Sequence, residues 1–210
     1  LLLFNFTSEC SIQQDKDCEC NDYFFIYKIT TCINNTNIAS NFKILKYIDT
    51  RIKVDDLNEL EIVELDLSNK LISQIEINSL EKLDFLDSLL LSSNLLTSLK
   101  EGVFISLRKL KNLDMSINNL VDLKNMTFIG LKNLNSLSLS FNKINSIDVN
   151  AFYELSYLEK LVLSHNKIKN IKSGFFITLK NLIELDLADN LIEIIDRDSF
   201  SNLNNLVVLE

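Results

Sequence analysis

The residues of this 210-residue chain with chemistry to offer are four cysteines, one histidine and columns of serine and aspartate. Cys10, Cys18, Cys20 and Cys32 have the spacing C-x7-C-x-C-x11-C, and none follows Cys32. An even cluster of this kind can close a disulfide framework, and four cysteines allow three pairings. Zinc is the rival use of four thiolates. It is disfavoured, because C-x-C is a poor tetrahedral clamp beside the usual C-x2-C. A nucleophile–His–acid triad around His165 would have to recruit Ser164 or Ser140. Both belong to a regular column, Ser68, Ser92, Ser116, Ser140 and Ser164, which reads as structural. Asp66, Asp114 and Asp186 share another column, but Leu90, Ser138 and Val162 interrupt it, so a cation site there is discounted. There is no phosphate loop and no H-E-x-x-H. The expectation is no catalytic site, no metal and no cofactor.

The regularity of these columns is the chain's main feature. Phe104, Phe128, Phe152, Phe176 and Phe200 recur every 24 residues, and Leu83, Leu107, Leu131, Leu155, Leu179 and Leu203 keep that period. A fixed period in this range means a solenoid, in which each repeat buries its apolar face against its neighbours. From Leu134 the unit runs Leu134, Leu137, Leu139, Asn142, Ile144, Ile147, Phe152, Leu155, which is L-x-x-L-x-L-x-x-N-x-L followed by a second apolar half. Alternate side chains of a short strand within Leu-x-x-Leu-x-Leu point inward, and strands of successive repeats pair in parallel on a concave side. Asn94, Asn118, Asn142, Asn166 and Asn190 form a column that turns the chain away from the strand. Their amides must find backbone partners in the turn and in the next repeat. The repeat from Ile62 places Lys70 where Asn belongs, with Asn69 one position early. Before it, Phe42, Leu45, Tyr47, Thr50 and Ile52 fit a short first repeat.

This register resembles extracellular leucine-rich repeat proteins of the 24-residue type over residues 42–210. It is similar to ectodomains of Toll-type receptors and to leucine-rich repeat adhesion and matrix proteins. The resemblance implies an α/β leucine-rich repeat solenoid, a horseshoe with a parallel β-sheet on its concave face and short helical or irregular segments on its convex face. It also implies that residues 10–41 are a cysteine-rich N-terminal cap with the pairs Cys10–Cys20 and Cys18–Cys32. The x7 gap is longer than the family usually shows, and no proline follows Cys10. Residues 1–9 read as the remnant of a signal peptide, 42–205 as the repeats and 206–210 as the start of a truncated repeat, which makes the chain a fragment of a longer protein.

A net charge of −8 and a pI near 4.8 disfavour nucleic acid and anionic membrane surfaces as partners. Leu1 to Phe6 is an apolar run far too short to span a bilayer. Asn5, Asn34 and Asn125 open N-x-[ST] sequons, which support secretion jointly with the cysteines. Outward strand positions and the strand exits supply the expected binding strip: Ile117, Ser138, Phe141, Val162 and His165. Apolar and aromatic side chains on a solvent-facing column make a hot spot. The function expected is therefore an extracellular module, a receptor ectodomain or adhesion protein, that grips a protein ligand by its concave face. A homodimer through the solenoid is a further expectation. The alternative is an enzyme-inhibiting solenoid of the intracellular sort, against which the cysteines and sequons argue.

Overall fold

Alternation of leucine with polar residues produces one three-residue strand per repeat, and stacking these strands gives the fold its single main sheet. The computed structural model describes residues 64–77, 79–80 and 83–210, and the backbone of three short segments before them. In chain order the strands are β1 (Cys18–Cys20), β2 (Cys32–Asn34), β3 (Phe42–Lys43), β4 (Glu64–Asp66), β5 (Ile72–Gln74), β6 (Ser88–Leu90), β7 (Asn112–Asp114), β8 (Asp122–Leu123), β9 (Ser136–Ser138), β10 (Ser146–Ile147), β11 (Lys160–Val162), β12 (Asn170–Ile171), β13 (Glu184–Asp186), β14 (Ile194–Ile195) and β15 (Val208–Leu209).

The main sheet has seven strands in the order β15-β13-β11-β9-β7-β6-β4. All its pairings are parallel, and Leu65, Leu89, Leu113, Leu137, Leu161, Leu185 and Leu209 face one another in register. Each strand buries its central leucine from β4 to β13 and turns its flanking residues outward. Shorter parallel ladders, β8 with β10 and β12 with β14, run behind the main sheet in the second half of the repeats. β3 pairs with β5, so Phe42 lies beside Ile72 and not beside the main strand β4. Thr50 and the rest of the segment read as a first repeat lie outside the described residues.

The convex half consists of turns, and among the described residues no segment is helical. In the repeat from Leu86, for example, Val103 N–H donates to Lys100 C=O, Ile105 N–H to Gly102 C=O and Leu107 N–H to Phe104 C=O. The sequence allowed helical or irregular segments here, and spacing decides between them. Strands of successive turns lie about 4.8 Å apart in the sheet and the turns behind it spread only a little wider, whereas packed helices need about 8–10 Å between axes. The phenylalanines show the pitch directly. Phe104, Phe128, Phe152, Phe176 and Phe200 stack with ring centroids 6.3, 5.9, 6.2 and 6.0 Å apart. With the leucine columns they form one continuous core.

The asparagine column closes each turn. Asn142 donates through Nδ2 to Leu139 C=O at 3.0 Å in its own turn and to Met115 C=O at 3.0 Å in the turn before. Its Oδ1 accepts Leu120 N–H at 3.0 Å. Asn94, Asn118, Asn166 and Asn190 repeat the pattern. The sequence predicts bonds to the next repeat. The amide reaches back to the preceding one, because the strand exit of one turn lies against the start of the neighbour's second half. Asn94, Asn118, Asn142 and Asn166 are all buried.

Two consequences are measurable. Replacing Asn142 by Leu strands Leu120 N–H and two carbonyls away from water, so stability should fall by about 1–3 kcal/mol in urea denaturation. Gly130 has φ +99°, and an added Cβ would lie 2.4 Å from Ile105 Cα, while at Gly102, φ +76°, a Cβ meets nothing within 4 Å. Gly130→Ala should therefore lower the melting temperature much more than Gly102→Ala, although both have the left-handed backbone.

Candidate recognition surface

The site is built from three outward columns of the main sheet. The first strand residues are Glu64, Ser88, Asn112, Ser136, Lys160 and Glu184, and the third are Asp66, Leu90, Asp114, Ser138, Val162 and Asp186. Beyond them come the strand exits, Asn69, Ser93, Ile117, Phe141, His165 and Asp189, one position before the asparagine column.

The aspartates of the third column serve the backbone. Asp66, Asp114 and Asp186 each accept the N–H two residues on, from Ser68 at 2.8 Å, Ser116 at 2.9 Å and Ala188 at 2.9 Å. The bond from Ser68, first its amide and then its hydroxyl, holds the Asp66 carboxyl below the ordinary aspartate range; Lys70 adds to this and burial opposes it. Among the described residues no cluster of three or more His, Cys, Asp or Glu is arranged to hold a metal. Lys160 and Glu184 pair across neighbouring strands at 2.6 Å.

The exit column has one backbone conformation throughout. Asn69, Ser93, Ile117, Phe141, His165 and Asp189 all have φ between 52° and 56°. Asparagine and aspartate accept this left-handed region, but a β-branched isoleucine or a phenylalanine is strained there, by about 1–2 kcal/mol. At the inner positions hydrogen bonds on either side hold it. Phe141 N–H donates to Ser164 C=O at 3.1 Å, and the preceding Ser140 C=O accepts Asn142 Nδ2 at 3.3 Å. Ile117 is held in the same way, by Ser140 C=O at 2.9 Å and Asn118 Nδ2 on Ser116 C=O at 3.1 Å.

The side chains of this column stand out into solvent. Ile117 and Phe141 are both 52% exposed, and neither belongs to the core. The Phe141 ring stacks on the His165 ring at 4.0 Å between centroids and 19° between planes. His165 Nε2 lies 3.3 Å from Asp189 Oδ2. Phe141, His165 and Asp189 thus form a connected ridge over three repeats. Ser138 and Val162 lie half-buried in the column beside it. His165 is committed to Phe141 and Asp189, and Ser164 is buried.

Neither the shared backbone conformation nor the ring stack was legible in the residue types. The only available signal was the column's place immediately before the asparagines. Sequence reasoning also passed over a groove at the other end of the strands, where Asp87, Lys111, Asn135, Glu159 and Tyr157 meet. Lys111 pairs there with Asp87 at 2.7 Å.

The other assigned positions fare differently. Asn125 is exposed, and the Thr127 hydroxyl of its sequon donates to Lys124 C=O at 2.7 Å. Cys10 and Asn5 lie outside the described residues. β1 and β2 pair antiparallel, with Cys20 opposite Cys32 and Cys18 opposite Asn34 along the backbone; the side chains of Cys18, Cys20, Cys32 and Asn34 are outside the described part.

Family comparisons agree with this architecture. The leucine-rich repeat model matches residues 108–168 and 156–210. A model of the BspA-type leucine-rich repeat region matches residues 30–135. The chain is a leucine-rich repeat protein. No curated protein matches it. Among solved structures it is similar to one described as the crystal structure of a TLR13–ssRNA13 complex, at 35% identity and a TM-score of 0.68. The match covers 70% of this leucine-rich repeat protein and 21% of the other chain, so it spans about a fifth of that receptor's length.

The strain at the exits can be read out as stability. Ile117→Asn should stabilise the protein by about 1 kcal/mol in urea denaturation, since asparagine accepts the left-handed backbone and no core contact is lost. A side chain used for packing would show a loss instead. Asp66 gives a pH signature. Its lowered pKa stabilises the fold above the unfolded aspartate value of about 4, and that contribution disappears as pH falls through the lower folded value. The stability difference between wild type and Asp66→Asn should therefore be constant at neutral pH and shrink in that acid window.

Proposed function

We propose that this protein is an extracellular recognition module, part of a receptor ectodomain or adhesion protein, that binds a protein ligand through its concave face. The observation that carries this reading is the exit ridge. Ile117 and Phe141 hold large apolar side chains in solvent, on a backbone conformation that costs stability and gains no core contact. Strain of that kind collects where function requires it. Val162, Ser138 and His165 complete a patch with an aromatic centre and polar surroundings, the arrangement of an interface hot spot.

The extracellular part of the proposal rests on the 24-residue register, the cysteine cluster with the pairs Cys10–Cys20 and Cys18–Cys32, and the sequons at Asn5, Asn34 and Asn125. The Toll-type neighbour supports a surface or extracellular role. That neighbour is described with single-stranded RNA. The net charge of −8 favours a protein partner here, because polyanion binding needs a basic surface. No helix among the described residues is long and apolar enough to cross a membrane.

Two experiments test the reading. Peptides selected by display against the wild-type chain should bind Phe141→Ala at least about tenfold more weakly, with the melting temperature nearly unchanged. The control Lys172→Ala, an exposed convex position, should retain full binding. Loss of stability without loss of binding at Phe141 would send the ligand elsewhere. Secreted from eukaryotic cells, the chain should yield both cross-linked peptides under non-reducing mapping and a glycan on Asn125. Free thiols at all four cysteines would remove the extracellular assignment.

A further inference from the structure

The first six of the seven strands in the main sheet, with their exits, divide by charge along the stack. The second to fourth hold Ser88, Leu90, Ser93, Asn112, Ile117, Ser136, Ser138 and Phe141, with Asp114 as their one charged group. The first holds Glu64 and Asp66, and the sixth holds Glu184, Asp186 and Asp189. Lys160 is the one cation of these columns, and Glu184 neutralises it at 2.6 Å. The chain turns away at the asparagines, so Lys143 and Lys167, which follow them, belong to the flank. A centre that carries Leu90, Ile117 and Phe141 among small polar residues and a single charge, set between more highly charged margins, suits a protein interface, and here both margins have the same sign.

We infer that the concave face docks a cationic polypeptide segment whose apolar side chain seats against Phe141 and Ile117 and whose lysine or arginine residues reach the acidic margins on either side. The inference rests on the ridge being the binding strip. Strand spacing sets the dimensions. Of the acidic margins, Asp189 on one side is two strands from Phe141, about 10 Å, and Asp66 on the other is three strands away, about 14 Å; Asp114, between them, is held by the Ser116 amide. An extended segment rises about 3.3 Å per residue, so its basic residues should lie roughly three residues to one side of the apolar anchor and four to the other. Charge complementarity of this kind raises the association rate and excludes polyanions more than it adds affinity.

The test uses the 210-residue chain and fluorescence anisotropy with four labelled probes. One is a peptide with a central phenylalanine and lysines at those offsets. The second replaces its lysines by glutamate, the third by serine, and the fourth is an oligouridylate. The cationic peptide should bind at least about tenfold tighter than the acidic one and weaken as salt is raised, since exposed charges are screened over about 10 Å. The double variant Asp189→Asn, Glu64→Gln should lose about fivefold of that affinity while keeping its fold, because asparagine accepts the exit backbone. Phe141→Ala should lose at least about tenfold. If the serine peptide binds as tightly as the lysine one, and Phe141→Ala still weakens it, the charge inference fails and the ridge stands. If binding of the peptides is indifferent to Phe141, the ridge fails. Tighter retention of the acidic peptide or the oligouridylate would overturn the inference and point to Lys143 and Lys167 on the flank, and a cationic peptide that does not bind overturns it outright.

Discussion

The asparagine amide at each strand exit is the interaction on which the rest of this structure depends. Every ladder amide from Asn94 to Asn190 bonds its own turn and the one before it, using donor and acceptor together. A leucine stack alone would bury apolar surface but would leave the bends with unpaired backbone groups, and such groups are costly away from water. The amide supplies those partners. It also bonds the carbonyl just before the left-handed exit residue, so a device for stability borders the candidate binding ridge.

Pitch is the second constraint. Parallel strands set the rise from one turn to the next, and everything behind them must fit that rise. The phenylalanine stack fits, with rings 5.9 to 6.3 Å apart. Helices do not fit, so the convex half is made of turns. Each repeat contacts only its neighbours, so stability is a sum of nearest-neighbour terms. Cross-repeat ion pairs such as Lys100–Glu76 at 2.7 Å and Lys111–Asp87 at 2.7 Å follow the same register. At the surface each contributes little.

Much of this was legible in the sequence, because a period of 24 residues repeats the same local physics many times. The inward leucines, the asparagine column and the phenylalanine column all occupy the positions their types imply. The direction of the asparagine bonds was not legible, since an amide spacing cannot tell which neighbour lies within reach. At the site, the exposure of Ile117 and Phe141 followed from their column. Their backbone conformation did not, because isoleucine and phenylalanine are the residues least suggestive of a left-handed turn. The contact of Phe141 with His165 required knowing that adjacent exits lie one strand apart.

The exit column also separates two kinds of information. Asparagine, serine, isoleucine, phenylalanine, histidine and aspartate occupy its six described positions with φ values within 4° of one another. At the inner positions Ser93, Ile117, Phe141 and His165 the backbone is held from outside, by the neighbouring amide and carbonyl, so side-chain identity there has little part in specifying the fold. Such a column behaves as a row of sockets whose neighbours can also touch. Its occupants can be exchanged one at a time at a modest energetic cost, and a new surface can be written onto the solenoid without rewriting the solenoid itself.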